Sequence, residues 1–160
     1  MQEFPSVLEA IRDLTLEQVQ NLLQQAREFK KRSYLTSPAP VFRGRPVVAT
    51  CFLEHSTRTK NSFILAAEKL GALNLNFDPQ SSSLQKGENL EETFWTLKSQ
   101  GVNLCIVRTD VTGQLHPFKK NPPFKIINGG DGMHAHPTQA LLDLYTMLEN
   151  DFDPKGKVIA

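Results

Sequence analysis

The sequence predicts an α/β fold, in which a four-stranded parallel sheet carries helices on both faces. Three observations support this prediction. Four apolar segments of strand length alternate along the chain with segments whose apolar residues recur at helical spacing. No internal repeat and no low-complexity tract interrupts this alternation. The length of 160 residues suits one domain and is sufficient to bury a hydrophobic core.

The first helix is predicted over Leu16–Arg32. Thr15 and Gln18 have the spacing of a capping box at its start, and three basic residues lie at its end, where the helix dipole favours positive charge. Its apolar residues fall on one face: Leu16, Val19, Leu22, Leu23, Ala26 and Phe29. Residues 34–46 contain three prolines and are predicted to form a loop.

The remaining elements alternate between strands and helices. The predicted strands are Val47–Leu53, Ala72–Phe77, Asn103–Val107 and Lys125–Asn128. The predicted helices run from Ser56 to Gly71, from Asn89 to Gln100, and onward from Pro137. Residues 78–88 form a predicted loop, and residues 109–123 are predicted to be irregular with one short helical turn. Residues 157–160 resemble the start of a further strand. We therefore expect one domain over residues 1–150, and over residues 151–160 a linker with the first strand of a second domain.

The composition excludes several classes of protein. The net charge is +1 with acids and bases nearly balanced, which argues against a nucleic-acid-binding surface. The apolar runs are too short for a membrane helix, and the first residues lack the features of a signal peptide, so we expect a cytoplasmic protein that binds no membrane. Cys51 and Cys105 both fall in predicted strands, which favours buried thiols over a disulfide.

The stretch from Glu54 to Phe63 is the strongest candidate for a binding site. Ser56 to Thr59 lie where a predicted strand passes into a predicted helix, so backbone N–H groups, hydroxyls and the Arg58 guanidinium would converge there. A phosphate dianion needs such donors. The alternative is an ordinary helix start with Ser56 as its N-cap. In that case Arg58 would oppose the helix dipole by about 0.3–1 kcal/mol, a conflict that a bound anion removes.

Polar clusters also follow the other three predicted strands. These clusters are the loop over residues 81–86, Arg108, and the segment from His134 to Gln139. Ligands of parallel α/β sheets bind outside the carboxyl ends of the strands. We therefore predict that the four clusters form a single site for a phosphate-bearing ligand.

These clusters resemble those of the carbamoyltransferase family, and within it the branch that uses aspartate as the amine acceptor. The resemblance rests on four motifs in order: Ser56-Thr57-Arg58-Thr59 with Ser62-Phe63, Ser82-x-x-x-Lys86-Gly87-Glu88, Arg108, and His136-Pro137-Thr138-Gln139-Ala140-Leu141-Leu142-Asp143-Leu144. It implies that this chain is the half that binds carbamoyl phosphate. His55 and Lys60 depart from the family pattern, in which proline and arginine are common.

The resemblance implies a role for each matching residue. Carbamoyl phosphate would be bound at its phosphate by Ser56, Thr57, Arg58 and Thr59. Its carbonyl oxygen would meet the catalytic donors Arg108, His136 and the Thr59 hydroxyl, and Arg58 is also counted among the catalytic residues. Gln139 would orient the carbamoyl amide. Ser82 and Lys86 would reach the phosphate from a neighbouring subunit, which implies a homotrimer with shared sites.

The expected reaction transfers the carbamoyl group from carbamoyl phosphate to L-aspartate in pyrimidine synthesis, with no cofactor or metal. Regulatory or dihydroorotase-type partner chains are compatible with the resemblance. Two alternatives stay open: a non-catalytic module that binds carbamoyl phosphate or forms trimers, and a carbamoyltransferase with another amine acceptor. His134 and His136 with Asp131 form a weaker candidate for a metal site.

Overall fold

Strands and helices alternate along the chain as the sequence predicts. The computed structural model describes residues 3–32, 44–54, 56–78 and 87–158. Its elements are β1 (Val7–Leu8), α1 (Leu16–Arg32), β2 (Val47–Phe52), α2 (Thr57–Lys69), β3 (Leu73–Phe77), α3 (Leu90–Ser99), β4 (Val102–Thr109), β5 (Lys125–Asp131) and α4 (Pro137–Glu149). Short 3₁₀ turns lie at Ile11–Asp13 and His116–Lys119. The second of these is the short helical turn predicted within residues 109–123.

The sheet has five strands in the order β1-β5-β4-β2-β3, and all neighbouring strands are parallel. The prediction of a parallel sheet is confirmed, but the expected count of four strands is wrong. The additional strand is β1, whose two residues pair with Ile126 and Ile127 of β5. The strand expected to open at Lys157 is absent at Lys157 and Val158, and residues 159–160 lie outside the described part of the chain.

Two apolar clusters, one on each face of the sheet, form the core. In the larger one, Phe94 of α3 is fully buried and its ring lies 4.7 Å from that of Phe118 and 5.3 Å from that of Phe124, measured between centroids. The smaller cluster joins Phe63 and Ala67 of α2 to the opposite face of the sheet. Burying one large apolar side chain contributes about 1.5–3 kcal/mol. Because α3 packs on one face of the sheet and α2 on the other, helices cover both faces, as predicted.

The local predictions for the first helix and for the two cysteines are also confirmed. Helix α1 has the predicted bounds and capping box: the backbone N–H of Gln18 donates to Thr15 Oγ1 at 3.2 Å, and that of Thr15 donates to Gln18 Oε1 at 2.7 Å. Cys51 and Cys105 are buried free thiols. Burial raises the pKa of Cys51 to about 12. Among the described residues, no helix is long and apolar enough to cross a membrane.

Candidate functional site

The site is built at the carboxyl ends of β2, β4 and β5, which are adjacent in the sheet. Phe52 of β2 lies opposite Arg108 of β4, and Thr109 of β4 lies opposite Asp131 of β5. The backbone N–H of Leu53 donates to the carbonyl oxygen of Arg108 at 2.8 Å. This pairing fixes the start of the β2–α2 turn against the end of β4, so three of the four predicted polar clusters meet at one edge of the sheet.

The N-terminus of α2 lacks the side-chain cap that the other three α-helices have. Ser56 is at the N-cap position, but its hydroxyl makes no capping hydrogen bond. By contrast, α1, α3 and α4 are capped by Thr15, Asn89 and His136 respectively. Arg58 in the first turn of α2 is exposed, and within the described ranges it has no carboxylate partner. The first turn of α2 thus offers backbone donors and a cation to an anion.

Two acceptors hold the guanidinium of Arg108. Its Nε donates to Glu54 Oε2 at 3.1 Å, and its Nη1 donates to the carbonyl oxygen of Gly129 at 3.1 Å. Only 20% of the side chain is exposed. Two acceptors from different elements therefore orient the group, and the guanidinium has further N–H donors available for a ligand.

The imidazole of His136 caps α4 and has a defined tautomer. The backbone N–H of Gln139 donates to His136 Nδ1 at 3.3 Å, and the Thr138 hydroxyl lies 3.2 Å from the same nitrogen. Because Nδ1 accepts, the proton of the neutral ring is on Nε2, where it can be donated to a ligand. Burial and then the positive charge of Arg108 lower the pKa of His136 below its usual value of 6.5. The ring is therefore a neutral donor at physiological pH.

Gly130 allows Arg108 and His136 to lie side by side. Its φ is +119°, and a Cβ atom there would lie 2.6 Å from Arg108 Nη1 and 3.3 Å from His136 Cδ2. Both side chains consequently contact the space that a larger residue at position 130 would fill. The guanidinium of Arg108 and the ring of His136 therefore lie on the same side of Gly130, and donors from two elements that face one place can stabilise negative charge there.

The sequence pattern does not reveal that Asn128 and Asp131 form a buried polar pair under this site, and it indicates Asp131 only as a weak candidate metal ligand. Asn128 and Asp131 are both fully buried, and the Nδ2 of Asn128 donates to Asp131 Oδ1 at 2.8 Å. Both lie in β5, which runs three residues beyond its predicted end. Their polarity indicated that the strand had ended, because one sequence does not show which buried groups will form hydrogen bonds with a polar side chain. The spacing Asn-Gly-Gly-Asp was the available signal, since Asn and Asp side chains often form hydrogen bonds with nearby backbone groups in compact turns.

The remaining predicted residues do not join Arg108 and His136 in the described part of the site. Gln139 is exposed, and its amide donates to Asp143 Oδ1 at 2.9 Å. Ser82, Lys86 and His55 lie outside the described residues. Asp131 Oδ2 lies 2.8 Å from Nδ1 of His134, and the group of potential metal ligands that forms among the described residues joins these two to Glu9 without His136. The sequence-based pairing of the two histidines is therefore not the arrangement seen here.

An ion cluster around the buried carboxylate of Glu9, completed by Asp13, His116 and Lys119, lies beside the site. Lys119 Nζ is 2.8 Å from Glu9 Oε2 and 2.7 Å from Asp13 Oδ1, and His116 Nδ1 is 3.2 Å from Glu9 Oε2. Only 1% of the Glu9 side chain is exposed. Burial alone would raise the pKa of Glu9, but the hydrogen bonds and charges of Lys119 and His116 outweigh it, so this pKa is lowered.

Comparison with known proteins identifies the family. The family model described as aspartate/ornithine carbamoyltransferase, carbamoyl-P binding domain, matches residues 8–149. Aspartate carbamoyltransferase catalytic subunits from Thermus aquaticus and Ruminiclostridium cellulolyticum are 44% and 40% identical over 149 and 153 residues, which are 91% and 94% of this chain and 48% of each relative. The chain spans about half the length of the curated relatives it matches.

Solved structures agree with the sequence comparison. Aspartate transcarbamoylase from Trypanosoma cruzi, in complex with carbamoyl phosphate and aspartate, is 28% identical with a TM-score of 0.83, covering 91% of this chain and 44% of that one. The catalytic subunit of M. Jannaschii aspartate transcarbamoylase is 33% identical with a TM-score of 0.81, covering 91% and 47%. These matches confirm the resemblance noted from the motifs. The chain belongs to the aspartate/ornithine carbamoyltransferase family and corresponds to its carbamoyl-P binding domain.

Proposed function

We propose that this chain is the carbamoyl-phosphate-binding half of an aspartate carbamoyltransferase. The reaction is attack of the L-aspartate amine on the carbonyl carbon of carbamoyl phosphate, giving N-carbamoyl-L-aspartate and phosphate. The observation that carries the proposal is that Arg108 and His136 both lie against Gly130, at the same end of the sheet as a helix start without a side-chain cap. The names of the relatives in both comparisons support the choice of aspartate as acceptor.

The phosphate of the substrate would occupy the first turn of α2. Ser56, Thr57 and Thr59 would offer hydroxyls and backbone N–H groups, and Arg58 would offer its guanidinium. Charge-assisted hydrogen bonds contribute about 1.5–3 kcal/mol each, so three or four of them are compatible with a micromolar dissociation constant after the entropy of association is subtracted. The bound dianion would also remove the unfavourable interaction of Arg58 with the helix dipole.

The carbonyl oxygen would lie against Arg108, the Nε2–H of His136 and the Thr59 hydroxyl. Attack by the amine moves a pair of electrons onto this oxygen, and the donors stabilise the resulting oxyanion. The intermediate collapses by breaking the bond between the carbonyl carbon and the phosphate oxygen, and the leaving phosphate accepts the proton of the amine. One such donor is typically worth about 10²–10³ in rate. Gln139 would orient the carbamoyl amide.

The proposal extends to assembly and location. Ser82 and Lys86 would complete the phosphate site from a neighbouring subunit of a cytoplasmic homotrimer. Residues 1–150 would form the domain that binds carbamoyl phosphate, and residues 151–160 would lead into the domain that binds the amino acid. Chemical crosslinking and analytical ultracentrifugation test the trimer: a monomer at micromolar concentration would exclude shared sites under those conditions.

The substrate proposal is tested with two stable ligands. Phosphonoacetamide has a phosphonate and the carboxamide, whereas methylphosphonate has only the phosphonate. We expect calorimetric titration to show both ligands binding, with phosphonoacetamide the tighter. Arg58→Ala should abolish binding of both, and Lys69→Ala, at the other end of the same helix, should leave both unchanged. If neither ligand gives heat or a thermal shift with the unaltered chain, the site assignment is wrong.

A second experiment separates the enzyme from a binding module. The 160-residue chain alone should turn over little or no aspartate. A fusion to the remaining half of the Thermus aquaticus relative should carbamoylate aspartate in preference to ornithine. Binding of phosphonoacetamide without turnover by this folded fusion would favour the non-catalytic alternative, and preference for ornithine would favour a different acceptor.

A further inference from the structure

Two buried polar residues, Asn128 and Asp131, lie beneath the site without a role in the proposed reaction. Both are fully buried at the end of β5. Burying a carboxylate or an amide is unfavourable unless its hydrogen bonds are made inside the protein. The bonds that compensate for this burial show what the pair holds in place.

The carboxylate of Asp131 accepts four hydrogen bonds. Its Oδ1 accepts from Asn128 Nδ2 at 2.8 Å and from the backbone N–H of Ala135 at 2.9 Å. Its Oδ2 accepts from the backbone N–H of Gly113 at 2.9 Å and is 2.8 Å from Nδ1 of His134. A carboxylate has about four acceptor positions, so donors of the protein itself occupy all of them. Asp131 has no acceptor position left for substrate.

The side chain of Asn128 completes the arrangement. Its Nδ2 also lies 2.8 Å from the carbonyl oxygen of Glu9 and 3.2 Å from that of Ala135, so its two N–H groups serve three acceptors and one of these bonds is shared. Its Oδ1 accepts from the backbone N–H of Gly130 at 2.8 Å. The two side chains therefore bind both ends of the segment 129–135, which comprises the last three residues of β5 and the turn after it and which we call the site loop. They also join this segment to the N-terminal segment of the chain.

The site loop in turn orients the two proposed oxyanion donors. The carbonyl oxygen of Gly129 accepts from Arg108 Nη1, and the loop ends immediately before His136. A shift of the loop would move the acceptor of one donor and the attachment point of the other. By contrast, among the described residues no hydrogen bond or ion pair joins the loop to Arg58 in the first turn of α2.

We propose that Asn128 and Asp131 are positioning residues, which fix the site loop so that Arg108 and His136 face the carbonyl oxygen of the substrate. The inference rests on the proposed function. It predicts a selective effect: loss of the pair weakens recognition of the carboxamide and leaves recognition of the phosphonate largely intact. A merely structural role would weaken both together.

The test compares the two phosphonate ligands in Asp131→Asn. This change is isosteric, but either orientation of the new amide directs an NH₂ group at two existing donors. In the unaltered chain, Arg108 and His136 should donate hydrogen bonds to the carboxamide, so phosphonoacetamide should bind about tenfold more tightly than methylphosphonate. In Asp131→Asn we expect this ratio to fall to about one, with the affinity for methylphosphonate changed by less than about threefold. An equal loss for both ligands, or an unchanged ratio, would overturn the inference.

A second variant decides the matter if Asp131→Asn does not fold. Gly132 is exposed in the site loop, with φ +57°, and a Cβ there would lie 2.6 Å from the backbone carbonyl oxygen of Asp110. Gly132→Ala should displace the loop and abolish the same preference. Gly101→Ala is the matched control, because φ is +89° and a Cβ there has no atom within 4 Å. Gly101→Ala should keep the preference, and a Gly132→Ala variant that keeps it refutes the inference.

The two ligands also separate failure of the inference from failure of the proposed function. If the unaltered chain does not distinguish phosphonoacetamide from methylphosphonate, Arg108 and His136 do not recognise the carbonyl, and the proposed function loses its support. If the unaltered chain distinguishes them and both loop variants do so equally well, the proposed function stands and only the positioning role is wrong.

Discussion

His136 has two separable roles, and one pair of substitutions distinguishes them. Its Nδ1 accepts the helix-capping hydrogen bond from the backbone N–H of Gln139. Its Nε2–H, which has no hydrogen-bond partner among the described residues, is the proposed donor to the substrate carbonyl. Asparagine is among the best N-cap residues, so His136→Asn should retain the cap and lose the donor. His136→Ala should lose both. The two variants therefore separate stability from recognition at one position.

The magnitudes follow from the geometry. Loss of an N-cap costs about 0.5–2 kcal/mol, and the 3.3 Å distance of the bond to Nδ1 favours the middle of that range, about 1 kcal/mol. For a domain of this size, that corresponds to a fall in Tm of about 2–4 °C for His136→Ala and little change for His136→Asn. Loss of a neutral hydrogen bond to the carbonyl should weaken phosphonoacetamide binding in both variants by about 0.5–1.5 kcal/mol.

The assay combines urea unfolding with calorimetric titration at pH 7. Equal destabilisation by alanine and asparagine would show that the imidazole does not cap α4. Full retention of phosphonoacetamide binding by His136→Asn would show that Nε2–H does not meet the carbonyl. Since the rate depends on the oxyanion rather than the ground state, the same variant in an active fusion should lose about 10²–10³ in kcat.

The pH dependence provides an independent check of the same residue. Burial and Arg108 lower the pKa of His136 in the folded chain below its usual value of 6.5. The unfolded chain therefore binds more protons below that value, and stability falls as the pH falls from 6.5 through the folded pKa. His136→Asn lacks this dependence. The difference in free energy of unfolding between the two chains should shift in favour of the variant on acidification, and a constant difference would contradict the assignment.

Two further predictions concern the surroundings of the site. Lys119→Met leaves the buried carboxylate of Glu9 without its closest cation, so we expect the free energy of unfolding to fall by about 3 kcal/mol at pH 7. Because the pKa of Glu9 is lowered from 4.5 in the folded chain, this loss of stability should shrink in urea titrations as the pH falls below that value. Gly130→Ala and Gly101→Ala should each reduce stability by about 1–2 kcal/mol, because both glycines have a positive φ. Only Gly130→Ala should weaken phosphonoacetamide binding, because its new Cβ would displace Arg108 Nη1. Equal binding by both glycine variants would argue against this contact.

The sequence was most informative where local signals agree with tertiary structure. The capping box at Thr15 and Gln18 and the apolar face behind it gave α1 its bounds. The rule that ligands bind at the carboxyl ends of parallel strands grouped Arg108 with His136 before any distance was known. The contact of both residues with the space beside Gly130 agrees with that grouping.

The missed features depend on partners that are distant in sequence. Strand β1 has two residues, too few to show a period, and its pairing with β5 defines it. Asn128 was predicted to end its strand and Asp131 to lie beyond it, because their partners Glu9 and Gly113 are distant in the sequence. The partner of Arg108, Glu54, likewise belongs to another strand end. Such pairs become visible only when the sheet order is known.

The edge position of β1 has a consequence for the order of folding. Glu9, immediately after β1, and Asn128 are 119 residues apart in the chain, so their contact is among the most non-local in the domain and closes a long loop. At 5–20 residues per second, a ribosome needs roughly 6–24 s to produce Asn128 after Glu9. We expect the N-terminal segment to wait unpaired during that time. The site loop would then be one of the last parts of the domain to form, after the central strands have already paired.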